Sequence, residues 1–171
     1  MKVVNHIFLY SVLIVACVTD IRSNRIPNWL TFSAIITGLG LNTVEAGAGG
    51  LVFGIEGLLL GIGVFIIFYL TGGMGAGDVK LMGAVGAVLG PQMTLYAVLA
   101  SALIGGFYAL AVIIFHPRAG ATRTALAKMI KELIYFQNLK YDKPQNAEKQ
   151  PTLCYGVAIA LGTIAAVALK G

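Results

Sequence analysis

Met74-Gly75-Ala76-Gly77-Asp78-Val79-Lys80-Leu81 sets a carboxylate, flanked by glycines, at the mouth of an apolar segment. An ionisable side chain is expensive to keep in such a place, and for that reason it is usually functional. A second carboxylate, Asp20, stands at the end of the first apolar segment. Working outward from these two aspartates, apolar runs cover 3–20, 28–44, 51–70, 79–90, 93–115 and 152–169, with Arg-Ser-Asn-Arg, Gly-rich, Pro-Gln and Lys-rich connections between them. Most approach the roughly 20 residues that a helix rising about 1.5 Å per residue needs to cross about 30 Å of hydrocarbon. The fourth, cut off by Pro91, reaches only about 18 Å, which keeps Asp78 at or inside the interface. Two helices with a tight turn at Gly90-Pro91 are expected rather than one long helix over 79–115.

Composition supports the membrane reading. Of 171 residues, 58% are hydrophobic and 11% charged, and the mean hydropathy is +0.86, far outside the range of soluble globular proteins. The 22 glycines suit close helix packing in lipid, and the spacings Gly57-x-x-x-Gly61, Gly83-x-x-x-Ala87 and Gly86-x-x-x-Gly90 predict tight contacts around the short fourth span. The expected fold is an all-α integral membrane protein, one transmembrane domain over 1–171 with about six transmembrane helices. Cys17 and Cys154 show no metal-ligand spacing and are expected to serve packing alone. No metal, cofactor or nucleic-acid partner is expected, and no repeat of fixed period suggests a transporter's inverted halves.

Lys and Arg set the orientation, because their excess marks the cytoplasmic side. With the amino terminus outside, the inner connections hold Arg22, Arg25, Lys80, Arg118, Arg123, Lys128, Lys131, Lys140, Lys143 and Lys149, which leaves only Lys2 and Lys170 outside. Asp20 and Asp78 then both fall at cytoplasmic helix ends of an inner-membrane protein. Ile14-Val15-Ala16-Cys17 resembles a lipoprotein processing site, but a charged start of a single Lys2 argues against a cut there. Within the polar stretch 116–150, Leu126, Met129, Ile130, Leu133 and Phe136 recur at helical spacing opposite Lys128, Lys131 and Glu132. This predicts a basic amphipathic cytoplasmic helix lying among anionic lipid headgroups. His116-Pro117 ends the fifth span, and 138–151 reads as a loop.

Paired carboxylates hydrolyse a peptide when one takes a proton from water while the other gives one to the carbonyl oxygen or leaving nitrogen. Such a pair shares a proton, because two charges about 4 Å apart at an effective dielectric near 20 repel by about 4 kcal/mol. The run Thr71-Gly72-Gly73-Met74-Gly75-Ala76-Gly77 is too rich in glycine for a dependable helix, and irregular backbone at membrane depth is tolerated against protein or a wet cavity. It could line a groove for an extended substrate. Equally, it could be a cytoplasmic turn in which Asp78 is a helix N-cap; the two roles are compatible.

Asp20-Ile21-Arg22-Ser23-Asn24-Arg25-Ile26-Pro27-Asn28, followed by Gly75-Ala76-Gly77-Asp78-Val79-Lys80-Leu81, resembles the two signature regions of the type IV prepilin peptidase family, which includes the preflagellin peptidases. The resemblance covers about 1–115, with 152–169 fitting as the last span. In size and motif detail it looks most like the peptidases of tight-adherence (Flp) pilus systems. It implies Asp20 and Asp78 as the catalytic pair of a GxGD aspartyl peptidase, with Gly75 and Gly77 shaping the active-site loop. It further implies a prepilin or pseudopilin substrate cut at the cytoplasmic face just before its hydrophobic helix. The larger bifunctional relatives carry paired Cys-x-x-Cys motifs and also methylate the new pilin terminus; this sequence has no Cys-x-x-Cys, so cleavage without methylation is expected.

Lys80 could bias the aspartates toward ionisation or hold substrate, and equally could be a positive-inside anchor, as could Arg22 and Arg25. Asn28 is either active-site support or a polar helix start, and Pro27 is expected to open the second span at its first turn. Glu56, inside the third span, could face a wet cavity or the substrate's helix. Two rival functions remain open: a proton- or ion-coupled carrier with Asp20, Glu56 and Asp78 as relay carboxylates, and a non-enzymatic subunit of a secretion assembly.

Overall fold

The computed structural model describes residues 2–70, 73–115 and 154–170. Every regular element among them is an α-helix: α1 (Lys2–Ser23), α2 (Asn28–Leu70), α3 (Ala76–Phe115) and α4 (Tyr155–Lys170). The amphipathic helix expected within 116–150 lies outside the described residues. By length and composition, α1, α2 and α3 can each cross a membrane, and α4 is a shorter apolar helix.

At 43 residues, a straight α2 would be about 65 Å long, twice the hydrocarbon thickness. It is not straight. The backbone leaves the helical region at Ala46 (φ −133°, ψ 18°) and Gly47 (φ 60°, ψ −140°), a left-handed φ that only glycine adopts cheaply. A Cβ placed on Gly50 would collide with the Asn42 carbonyl, although residues eight apart on a straight helix are about 12 Å apart. The chain therefore doubles back, and 28–45 and 48–70 form a helical hairpin. α3 breaks in the same manner at Gly90 (φ 74°, ψ 177°). Pro91 follows, and opens the second arm at no cost because a first-turn N–H would be unpaired anyway. The buried Thr94 hydroxyl donates to the Gly90 carbonyl at 2.6 Å. The expected tight turn is thus a one-residue break inside otherwise continuous helix.

The arm 76–89 is the hub. Every residue from Leu81 to Gly90 is buried, as befits a helix apolar all round. Gly57 and Gly86 meet backbone to backbone, so that a Cβ on either would collide with the other's carbonyl oxygen, and Gly61 lies against the Met82 carbonyl. From the other arm of α2, Asn42 Nδ2 donates to the carbonyls of Ala87 (2.8 Å) and Val88 (3.3 Å). Both arms of α2 thus pack on the short helix, the second of them through the small-residue spacings read in the sequence. Leu9, Leu13, Phe65, Leu81, Met82, Val85 and Ile159 fill the centre, while Ile7, Ile14, Ile36, Leu59, Leu70 and Leu103 are exposed. With large apolar side chains outside, the surface is suited to lipid, and the fully buried hydroxyls of Thr31, Thr94, Ser101 and Thr163 donate to helix carbonyls.

α4 runs antiparallel to the second arm of α3: Gly162 lies against Ser101, and the Tyr155 ring against Gly105. It also packs on α1. The end of α1 and the starts of α3 and α4 consequently share one end of this unit, which comprises Met1–Gly105 and Cys154–Gly171. A second unit is Gly106–Leu153; its described residues, 106–115, are helical.

Three boundaries differ from expectation. α3 begins at Ala76 rather than Val79, because the Gly75 carbonyl already accepts the Asp78 N–H (3.1 Å). Pro27 precedes α2 instead of opening it: its carbonyl accepts from Leu30 (3.2 Å) and Thr31 (3.4 Å), so Asn28 takes the first helical position. The last helix starts at Tyr155, three residues later than the apolar run.

Candidate active site

Asp20 lies in the last turn of α1 and is 5% exposed. The helix ends just beyond it, where Asn24 takes a left-handed φ of 49° and its N–H closes on the Asp20 carbonyl at 2.8 Å. Asparagine tolerates this conformation better than other side-chain-bearing residues. The Asp20 side chain reaches across to α4, where Oδ2 accepts the Gly156 N–H at 2.9 Å. Gly156 is the second residue of α4, so this N–H is one of the donors that a helix start leaves unpaired, at its positive dipole end.

Asp78, 8% exposed, sits in the first turn of α3. Its Oδ2 accepts the Gly75 N–H at 3.0 Å, while its own N–H bonds the Gly75 carbonyl. This corrects the N-cap expectation: Gly75 is the cap, and Asp78, three residues on, turns back to it as the acidic half of a capping box. Each aspartate thus holds one helix-start N–H through Oδ2. Among the described residues, Oδ1 of neither carboxylate has a hydrogen-bond partner.

Ile26 packs against the glycine beside each carboxylate. It is 8% exposed, and both site glycines press against it: a Cβ on Gly77 would lie 3.1 Å from Ile26 Cβ, and one on Gly156 3.2 Å from Ile26 Cδ1. The two carboxyl groups are within electrostatic reach of each other. Both act on Cys154, whose thiol is pushed up by burial and then by Asp20 and Asp78. Its Sγ lies 3.5 Å from Asn24 Oδ1 and 3.9 Å from the Asp20 carbonyl oxygen. Cys154 therefore borders the site, where packing alone had been expected.

The other sequence candidates stand apart. Lys80 Nζ donates to Asn28 Oδ1 at 2.9 Å and lies 5.4 Å from the Phe32 ring centroid. These two residues pair with each other across an exposed rim, and Lys80 forms no ion pair with either aspartate. Glu56 lies on the exposed face of α2, away from the paired carboxylates. Gly156, Cys154 and Ile26 were missed as site residues; the one signal was the small residue at the start of the last apolar run.

A model of the type IV leader peptidase family matches residues 7–110, a stretch that contains Asp20, Ile26, Gly75, Gly77 and Asp78. The chain is similar to a prepilin leader peptidase/N-methyltransferase of Bacillus subtilis (strain 168), 34% identical over 108 residues. That alignment covers 61% of this chain and 42% of the relative, so the chain spans less than half of that protein's length. No solved structure matches. With the family model extending over well more than half of the sequence and over both buried carboxylates, the chain belongs to the type IV leader peptidase family.

Proposed function

We propose that this protein is a membrane-embedded aspartyl endopeptidase that removes the short leader of type IV prepilin-like precursors, with Asp20 and Asp78 as its catalytic pair. One observation carries the reading: two buried carboxylates, from α1 and α3, share one end of the helical unit within electrostatic reach, each held among the described residues by one helix-start N–H. That anchoring fixes Oδ2 of each and leaves Oδ1 for chemistry. One carboxyl, unprotonated, takes a proton from water as the water attacks the scissile carbonyl. The other, protonated, gives its proton to the carbonyl oxygen; as the C–N bond of the resulting diol breaks, the first carboxyl passes the proton it took from water to the leaving nitrogen, and a diol hydroxyl returns a proton to the second. Like charges within electrostatic reach of each other disfavour double ionisation, so in this mechanism the pair shares one proton.

The arms of α2 and α3, together with α1 and α4, would make six crossings, with the amino terminus outside and the aspartates at the cytoplasmic face of the inner membrane. The substrate's hydrophobic helix would remain in lipid while its leader enters from the cytoplasm. The Flp-type prepilins are the favoured substrates, and cleavage would proceed without N-methylation, because the two cysteines, Cys17 and Cys154, form no Cys-x-x-Cys pair.

Purified protein incubated with a panel of prepilins, with and without chelator and S-adenosylmethionine, tests this reading. Leader removal should occur in all conditions with no methyl transfer, and Asp20→Asn and Asp78→Asn should each fall to the level of a mock preparation while still inserting in membranes. Substantial cleavage by either variant would remove that residue from the pair, and loss with chelator, restored by a metal, would require another mechanism.

A further inference from the structure

Between α1 and α2 runs the short connection Asn24-Arg25-Ile26-Pro27, to which the mechanism assigns no task. Asn24 and Arg25 are exposed and Pro27 is half-buried, but Ile26 is buried. Pro27 confines the residue before it to extended backbone, and a β-branched side chain has little freedom at χ1. The sequence itself therefore stiffens Ile26.

Different parts of this side chain meet the two helix starts that hold the carboxylates. Towards α3, a Cβ on Gly77 would lie 3.1 Å from Ile26 Cβ and 3.5 Å from its backbone N and O; towards α4, a Cβ on Gly156 would lie 3.2 Å from Ile26 Cδ1. Gly77 directly precedes Asp78, and the Gly156 N–H holds Asp20 Oδ2. With glycine on both sides, Ile26 lies against backbone, which cannot rotate aside as a side chain can. The connection is also tied at its flanks. Asn24 Oδ1 lies 3.5 Å from the Sγ of Cys154, just before α4, and Asn28 at the start of α2 accepts from Lys80 of α3 at 2.9 Å.

We propose that Ile26 is a positioning residue: a stiff spacer between the starts of α3 and α4 whose breadth sets the separation of the Asp20 and Asp78 carboxyl groups. The proposal rests on the reading of these two aspartates as the catalytic pair. Ile26 acts through Gly77 on Asp78 and through Gly156 on Asp20, and touches no substrate itself. Its two contacts are separable, because Ile26→Val removes Cδ1, which faces Gly156, and keeps Cβ against Gly77.

A double-mutant cycle tests this. Ile26→Val, Gly156→Ala and the double variant, each as the full chain in detergent, are compared with the unaltered protein in melting temperature and in kcat and KM on the prepilin it cleaves fastest. Ile26→Val should lower kcat about tenfold with little change in KM, the signature of a misplaced reacting group. In the double variant, the methyl added by Gly156→Ala takes the space that Cδ1 leaves, so the start of α4 can draw back from Asp20. The double variant should therefore turn over about threefold or more faster than Gly156→Ala alone, as residues in contact couple. A residue that merely supports the fold would give losses that multiply. Multiplying losses, an unchanged kcat in Ile26→Val, or a raised KM with kcat unchanged would overturn the proposal. The melting temperatures close the same cycle without substrate: the double variant should lose less than the two single decreases added together. Absence of cleavage by the unaltered protein would sink the peptidase reading, whereas additive melting losses sink the spacer whether or not cleavage occurs.

Discussion

Asp20 Oδ2 accepts the backbone N–H of Gly156 at 2.9 Å, so the first helix's carboxylate is held by the start of the last helix, 136 residues on. The bond satisfies an orphan donor of α4 and fixes the rotation of a carboxylate that, in the proposed mechanism, shares a proton with Asp78. It can form because residue 156 is a glycine: a Cβ there would stand 2.9 Å from Asp20 Oδ2 and 3.2 Å from its Cγ. Gly156→Ala should displace the Asp20 carboxylate and lower kcat for leader cleavage by roughly tenfold to a hundredfold, since small misplacements at a reacting centre cost that much. KM should change little, because Gly156 positions a carboxylate and touches no substrate. Unchanged turnover in Gly156→Ala would show that the contact does not control the geometry of Asp20.

Gly86→Ala tests the hub. Its new methyl would collide with the Gly57 carbonyl oxygen, with Leu58 close behind, and backbone on both sides cannot move aside as a side chain could. Overpacking of this kind costs about 1–3 kcal/mol, which should lower the melting temperature in detergent. Gly63→Ala, whose Cβ meets nothing within 4 Å, should leave it unchanged or raise it slightly, because alanine favours the helix over glycine. Equal melting of the two variants would mean that the α2 to α3 approach is looser than described.

Cys154 reports on both carboxylates at once. Its thiol is pushed up first by burial, then by Asp20, then by Asp78. Because the thiolate is the reactive form, a raised pKa means less thiolate at any given pH. In a Cys17→Ala background, alkylation should therefore rise at a higher pH than for a free thiol. Asp20→Asn and Asp78→Asn should each move that rise to lower pH, by removing a negative charge that opposes the thiolate. A pH profile indifferent to Asp78→Asn would place that carboxylate too far away to act with Asp20.

Local features of this fold were readable from the chain, and contacts between distant residues were not. Asp20 and Asp78 stood out because a carboxylate at the end of an apolar run has few reasons to be there, and Pro91 after twelve apolar residues marked the short fourth helix. The reversal at Ala46–Gly47 was readable only as a Gly-rich connection, since the left-handed φ that makes it possible is a property of backbone rather than of composition. The Gly156 N–H on Asp20 and the Lys80 to Asn28 pair, 52 residues apart, leave no periodic trace. Lys80 looked like a partner for the aspartates because it is two residues from Asp78. On a helix, however, i and i+2 face different ways, and its ammonium turns to α2 instead.

With the amino terminus outside, as proposed, ten Lys and Arg fall in the inner connections against two outside, and Asp20 and Asp78 both lie at the cationic end of their helices, which places the proposed cleavage at the cytoplasmic face. Arg25, Ala76 and Ala48 are exposed. In a background lacking Cys17 and Cys154, single cysteines at 25 and 76 should react with an impermeant thiol reagent only in inverted vesicles, and one at 48 only in intact cells. Ala48 is the better outer position, because the neighbouring Gly47 has a φ of 60° and a side chain there would strain the turn that returns α2. If position 76 instead labels from outside, the aspartates face away from the cytoplasm, and the proposed orientation and cytoplasmic leader removal fail together.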